Sequence, residues 1–261
     1  MDAFSIIRVG GRKNTSEISF RVFGAGEKKK GNRNMVHYFS KGEAALWLLS
    51  VLLILVSFFA FPQGNYLRLA ASLIGVTSLI FCAKGNPVGQ GLMIVFSILY
   101  GIISYSVSYY GEMATYLGMT MPMAVVSLIS WVKNPFKGNR AEVKVNHLKK
   151  KDMVFAILLT IVVTGIFYFV LKAFHTANLV PSTISVTTSF LAVYLTYRRS
   201  EYFALAYAAN DIVLIVLWGL ASMDDSSYLS VLVCFIVFLI NDIYGFINWS
   251  RMKKRQRESE M

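Results

Sequence analysis

Residues 149–173 read KKKDMVFAILLTIVVTGIFYFVLKA. Three lysines and an aspartate precede an uncharged run from Met153 to Leu171, and charge returns only at Lys172. About 20 apolar helical residues span the roughly 30 Å hydrocarbon layer of a bilayer. A soluble helix needs one polar face, and this run has none. Outward from it the same unit recurs. Apolar stretches fall at roughly 44–61, 67–83, 88–110, 114–132, 153–173, 181–197, 202–220 and 228–250. The shortest, 67–83, needs little tilt or a place inside a bundle.

The basic residues order these stretches. If the gaps are numbered alternately inside and outside, starting inside, the 26 Lys and Arg residues divide 24 to 2. Only Arg68 and Lys172 fall outside. Short basic segments resist translocation, so Lys and Arg accumulate in cytoplasmic loops. The pattern predicts a polytopic membrane protein with both termini cytoplasmic. Composition agrees: 56% of residues are hydrophobic and 15% charged, too little charge to cover a soluble domain of this length. The net charge of +12 sits in tails and inside loops, where it fixes topology and meets anionic lipid; it does not indicate a nucleic-acid partner.

Enzyme signatures are missing. No phosphate loop is present, and Gly85–Gly91 reads as a tight turn between spans, without the strand–helix context of a nucleotide fold. His37, His147 and His175 lie outside the spans, and Cys82 and Cys234 lie far apart within them. No metal, disulfide framework or cofactor is expected. The first 43 residues are polar and basic with no early apolar segment, so the first span is expected to act as an uncleaved insertion signal.

The expected organisation is a cytoplasmic tail (1–43) and an extra N-terminal span (44–61). A first three-helix unit (67–132), a cytoplasmic loop (133–152) and a linking helix (153–173) follow. A second three-helix unit (181–250) and a short basic tail (251–261) complete the chain. In the tail, Ile18–Phe23 is weakly amphipathic. In the loop, Lys133–Asn139 forms a turn and Arg140–His147 has helical character. Each unit runs from a basic turn through a short acidic outside loop to a Trp and a second basic segment. These marks are Lys84, Glu112, Trp131 and Lys133 in the first unit, and Arg199, Asp224-Asp225, Trp249 and Arg251 in the second. One linking helix gives both units the same orientation, so they form parallel repeats about an axis along the membrane normal. The fold class is therefore all-α membrane protein: eight transmembrane helices, two parallel three-helix repeats joined by a linking helix, plus one extra N-terminal helix.

Polar side chains within spans need a reason, since each is costly in hydrocarbon. The last span carries Asn241, Tyr244, Gly245 and Asn248 at spacings that share one helix face, with Asp242 and Trp249 on the adjacent face. Two amides and aromatic rings suit a polar ligand with a planar ring. Interhelical hydrogen bonding and an interfacial Trp/Tyr belt are the alternative reading. The preceding span carries Tyr207, Asn210, Asp211 and Trp218. Asp211, near mid-span, is a substrate ligand, a proton site or a helix-packing partner. In the first unit, Gln90, Ser97, Tyr100 and Ser104 share a broad face. Met121-Pro122 opens the next span with an expected kink, and Trp131 closes it.

These residues resemble a known family. Ala83-Lys84-Gly85-Asn86, Tyr109-Tyr110-Gly111-Glu112, Met121-Pro122, Trp131 and the ending Asn241-Asp242, Tyr244-Gly245, Asn248-Trp249 look like the nicotinamide riboside transporter (PnuC) family. The resemblance covers about 67–250, and residues 133–147 are similar to members from Gram-positive bacteria. It implies an architecture similar to the SWEET sugar transporters and facilitated diffusion of a vitamin-like substrate. It also implies a separate cytoplasmic kinase that traps the product, and is compatible with a homo-oligomer. By resemblance, Asn210, Trp218, Asn241, Asn248 and Trp249 lie where the family binds the riboside, joined in our reading by Asp211, Tyr244, Tyr100 and Gln90. Thiamine, riboflavin and deoxynucleosides remain alternative substrates. Proton-coupled carriage through Asp211 and Asp242 is the second mechanism; a membrane scaffold or enzyme is third.

Overall fold

Among the described residues, eight helices are long and apolar enough to cross a membrane. They are α1 (Lys41–Ala60), α2 (Tyr66–Ala83), α3 (Pro87–Ser106), α4 (Tyr110–Lys133), α5 (Lys150–Ala173), α6 (Leu179–Tyr197), α7 (Tyr202–Asp224) and α8 (Leu229–Glu258). The structure, a computed structural model, describes residues 38–61, 66–106, 110–176, 178–224 and 226–261. The expected tail with its Ile18–Phe23 piece lies outside the described residues as far as position 37, as do Tyr109 and Asp225. Before Lys41, the rings of Tyr38 and Phe39 meet edge-on at 4.9 Å.

A helix satisfies every backbone donor and acceptor within itself, which is why apolar runs this long become helices in lipid. Their outer faces are Leu, Ile, Val and Phe. On α5 the exposed Phe155, Leu158, Ile161, Val162 and Phe169 form such a face, whereas only Ala156, Thr160 and Leu171 are buried. α5 packs chiefly on α6, as a linking helix at the margin does. α1 packs on α2 and α8. Within 66–133, α3 packs on both α2 and α4; within 179–258, α7 packs on both α6 and α8. α8 also meets α2, and α6 meets the second half of α4.

Two reciprocal bonds tie the groups together at the end that carries Lys84, Lys133, Arg198 and Arg251, called here the basic end. The Trp249 indole on α8 donates to the Cys82 carbonyl on α2, at 2.8 Å. The Trp131 indole on α4 donates to the Thr196 carbonyl on α6, at 2.9 Å. Each acceptor lies three residues before a turn residue in the left-handed region, Gly85 (φ 67°) and Arg199 (φ 56°).

Three sequence expectations are corrected. Residues 140–147 are extended, not helical. Lys137 (φ 47°) and Gly138 (φ 80°) form a tight turn between β1 (Pro135–Phe136) and β2 (Asn139–Val143), which pair antiparallel. Beyond it, Val143 and Val145 point inward while Lys144 is exposed, a strand period rather than a helical one. Pro122 does not open a span. It follows a π-helical stretch, Tyr116–Thr120, in the middle of α4, where the missing proline N–H cannot complete a regular turn. Glu112 is not in a loop but in the first turn of α4. Beyond residue 250, α8 continues through the basic segment to Glu258.

The extended segment straps the basic end. The Val143 N–H donates to the Gly85 carbonyl and the Asn146 N–H to the Arg199 carbonyl, each at 2.9 Å. Gln256 accepts from the Val145 N–H at 2.8 Å and donates to the Val143 carbonyl at 3.0 Å. Lys253 pairs with Glu201, and Arg255 with Glu142 at 2.6 Å. Lys144 lies 2.6 Å from Glu260 and holds its carboxyl below the usual range.

Candidate functional site

Polar side chains enclosed by apolar helices mark where the bundle is not filled by packing alone. Seen from the basic end outward, they form three layers.

The first layer is closed. Trp131 and Trp249 are 0% exposed, their rings 5.3 Å apart. Phe203 stands edge-on to Trp249 at 4.9 Å. Gln90 donates to the Cys82 sulfur at 3.2 Å, and Asn248 to the Ala83 carbonyl at 2.8 Å. Gly89 permits this closeness: a Cβ there would stand 2.6 Å from the Cys82 backbone nitrogen.

The middle layer is a cavity of ≈ 530 Å³ between the two three-helix groups. Its polar lining is Tyr116, Thr120, Ser189, Tyr207, Asn210, Asp211 and Asp242; Phe96, Phe235 and Phe238 add aromatic walls. The π-helical stretch of α4 supplies Tyr116 and Thr120, a displacement that a regular turn would not give. Asn210 is held by three hydroxyls of α6. Ser185, Thr188 and Ser189 donate to its Oδ1 at 3.1, 2.9 and 3.0 Å. All three acceptor contacts fall on the oxygen, so the amide nitrogen keeps its donors for another partner.

The outer layer comprises two pockets that share Glu112 and Trp218. One, of ≈ 730 Å³, is lined by Arg68, Tyr100, Ser104 and Tyr228 among others. The second, of ≈ 510 Å³, is lined by Tyr116, Thr120, Ser185 and Ser189. Both share lining residues with the middle cavity. The chain of pockets therefore reaches the centre from the end opposite the strap.

The nine residues singled out in the sequence do not form one cluster. Asn210 and Asp211 line the central cavity; Tyr100 and Trp218 line the outer pockets; Gln90, Asn248 and Trp249 belong to the closed layer. Asn241 and Tyr244 turn toward α1, where Asn241 donates to Ser50 Oγ at 2.9 Å and the Tyr244 hydroxyl to Glu43 at 2.9 Å. Glu43 also pairs with Lys84 at 2.9 Å. The helical spacing of Asn241, Tyr244 and Asn248 thus correctly grouped one face, but that face meets α1 and α2.

Sequence reasoning missed Phe96, Tyr116, Thr120, Ser189, Phe235 and Phe238. The phenylalanines look like lipid-facing residues in sequence. The hydroxyls of Ser185, Thr188 and Ser189 carried a usable signal, since their i, i+3, i+4 spacing places them on one face. Among the described residues no group of three or more His, Cys, Asp or Glu side chains is placed to hold a metal.

The comparisons with known proteins fit this geometry. Residues 65–251 match the family model described as nicotinamide mononucleotide transporter. The nicotinamide riboside transporter PnuC of Neisseria mucosa is 29% identical over 218 residues, 81% of this chain and 82% of that protein. The protein of the same name from Haemophilus influenzae is 24% identical over 217 residues, 80% of this chain and 90% of that protein. A crystal structure of the vitamin B3 transporter PnuC superposes with a TM-score of 0.76 at 25% identity, covering 88% of this chain and all of that one. The chain belongs to the PnuC family of membrane transporters, and it is not an enzyme.

Proposed function

We propose that this chain carries nicotinamide riboside across the bacterial plasma membrane by facilitated diffusion, and that a cytoplasmic kinase traps the riboside by phosphorylation. The observation that carries this reading is the central cavity. It combines aromatic walls with a few convergent polar groups, the character of a small-ligand site. Aromatic rings offer faces for a flat base, while Asn210, Ser189 and Thr120 offer partners for ribose hydroxyls and a carboxamide. Among the described lining residues no Lys, Arg or His stands ready for a phosphate, which favours the riboside over its mononucleotide.

Binding is assigned chiefly to Asn210, Asp211, Tyr100 and Trp218. Gln90, Asn248 and Trp249 close the inner side, and Asn241 and Tyr244 anchor α1. The basic end is read as cytoplasmic, with both termini there.

The two three-helix groups are read as parallel repeats. Counted from Gly85 and Arg199, Gly75 matches Ser189, Leu79 matches Val193, Met93 matches Tyr207 and Phe96 matches Asn210. All eight line the cavity. In three of these pairs the polar member comes from the second repeat.

Purified protein in liposomes provides the test. Uptake of labelled riboside down its gradient, unaffected by an imposed pH or sodium gradient and without net accumulation, is expected. Encapsulated kinase and ATP should then produce accumulation. Gradient-driven accumulation of unmodified riboside would replace diffusion by proton- or ion-coupled carriage.

A further inference from the structure

Two carboxyl groups share the central cavity, and no basic side chain is among its described lining. Asp211 of α7 and Asp242 of α8 lie against each other across the contact between those helices, each 4% exposed. Asp211 Oδ2 is buried without a hydrogen-bond partner. The lining also contains the rings of Phe96, Tyr116, Tyr207, Phe235 and Phe238. A buried carboxylate without a counter-charge is costly, and aromatic faces attract cations. The basic side chain among the described lining of the neighbouring pockets is Arg68, in the outer layer and absent from the lining of the central cavity.

We infer that Asp211 and Asp242 form a charge-selecting subsite, which takes the delocalised positive charge of a flat aromatic cation such as the pyridinium ring of a riboside. This inference rests on the transport reading above and narrows it. Asn210, one residue before Asp211, holds its oxygen in the hydroxyls of α6 and leaves its amide donors for the neutral, polar part of the same ligand. Glu112, shared by both outer pockets, gives an incoming cation an acidic group on the way. Neutral vitamins and nucleosides of similar size would leave the carboxylates unmatched, so riboflavin and deoxynucleosides are disfavoured.

The decisive comparison uses nicotinamide riboside, a pyridinium cation, and its 1,4-dihydro form, which has nearly the same shape and no charge. Affinities for both are measured on the purified full-length protein by titration calorimetry. The wild type should prefer the cation by roughly tenfold or more, the scale of one charge-assisted contact. In the Asp211→Asn, Asp242→Asn double variant the ratio of the two affinities should fall toward one. A preserved ratio in the double variant overturns the inference. Should that variant bind neither riboside, the wild-type ratio decides, and equal wild-type affinities overturn the inference alone. No binding of either riboside to the wild type would remove the transport reading as well.

Discussion

Two neighbouring glycines of α3 show how unevenly single residues carry this fold. A Cβ on Gly89 would lie 2.6 Å from the Cys82 backbone nitrogen and 2.9 Å from the Ser78 carbonyl, atoms that cannot rotate away. A Cβ on Gly91 would meet nothing within 4 Å. Gly89→Ala should therefore destabilise the protein by about 1–3 kcal/mol through overpacking. Gly91→Ala should be neutral or stabilising by up to about 1 kcal/mol, from helix propensity. Thermal unfolding in detergent, followed by tryptophan fluorescence, separates the two; similar shifts would mean the close α2–α3 contact is misplaced. At this scale the sequence was half legible. Asn210 and Asp211 stood out because polar groups in apolar runs must have a reason. Trp249 stood out equally, yet it is fully buried, with its N–H given to a backbone carbonyl. Residue type and spacing identify a polar face but not which neighbour covers it, and Asn241 bonding Ser50 of α1 is a second instance.

At the scale of elements, the strap over the basic end makes the sharpest prediction. Gln256 lies on the part of α8 beyond the apolar span and is buried against Val143 and Val145. Gln256→Ala would leave the Val145 N–H buried and without a partner. A cost of about 1–3 kcal/mol is expected, read as a lower unfolding temperature. Lys254→Ala, on the exposed side of the same turn, should change little. Equal effects would mean the extension contributes only general helix stability. The spans themselves were legible within a few residues, because length and apolarity leave a bilayer-crossing chain few alternatives. The strap was not. Residues 140–147 hold only two buried valines, and a period of two over so short a stretch is easily read as helix until the Lys137-Gly138 turn is known. The π-helical stretch before Pro122 was also hidden, since proline announces a break in hydrogen bonding but not its form.

For the whole molecule the open question is direction. The pockets reach the centre from the end opposite the strap, whereas Trp131, Trp249 and Phe203 close the basic end. If basic loops stay in the cytoplasm, this conformation faces outward, ready to load substrate. The division of 24 Lys and Arg residues against 2 is the sequence's argument for that orientation, whereas which end is closed follows only from side-chain packing. Native Cys82 and Cys234 are both buried, so a single introduced cysteine reports its own side. Ser226→Cys, exposed on the short turn before α8, should react with a membrane-impermeant maleimide added to intact cells. Lys137→Cys, exposed at the hairpin tip, should react only after the cells are opened. The reverse pattern would place the strap outside and turn the pockets toward the cytoplasm. The same structure would then represent the releasing state of the cycle, and the acidic group at Glu112 would meet substrate on its way out.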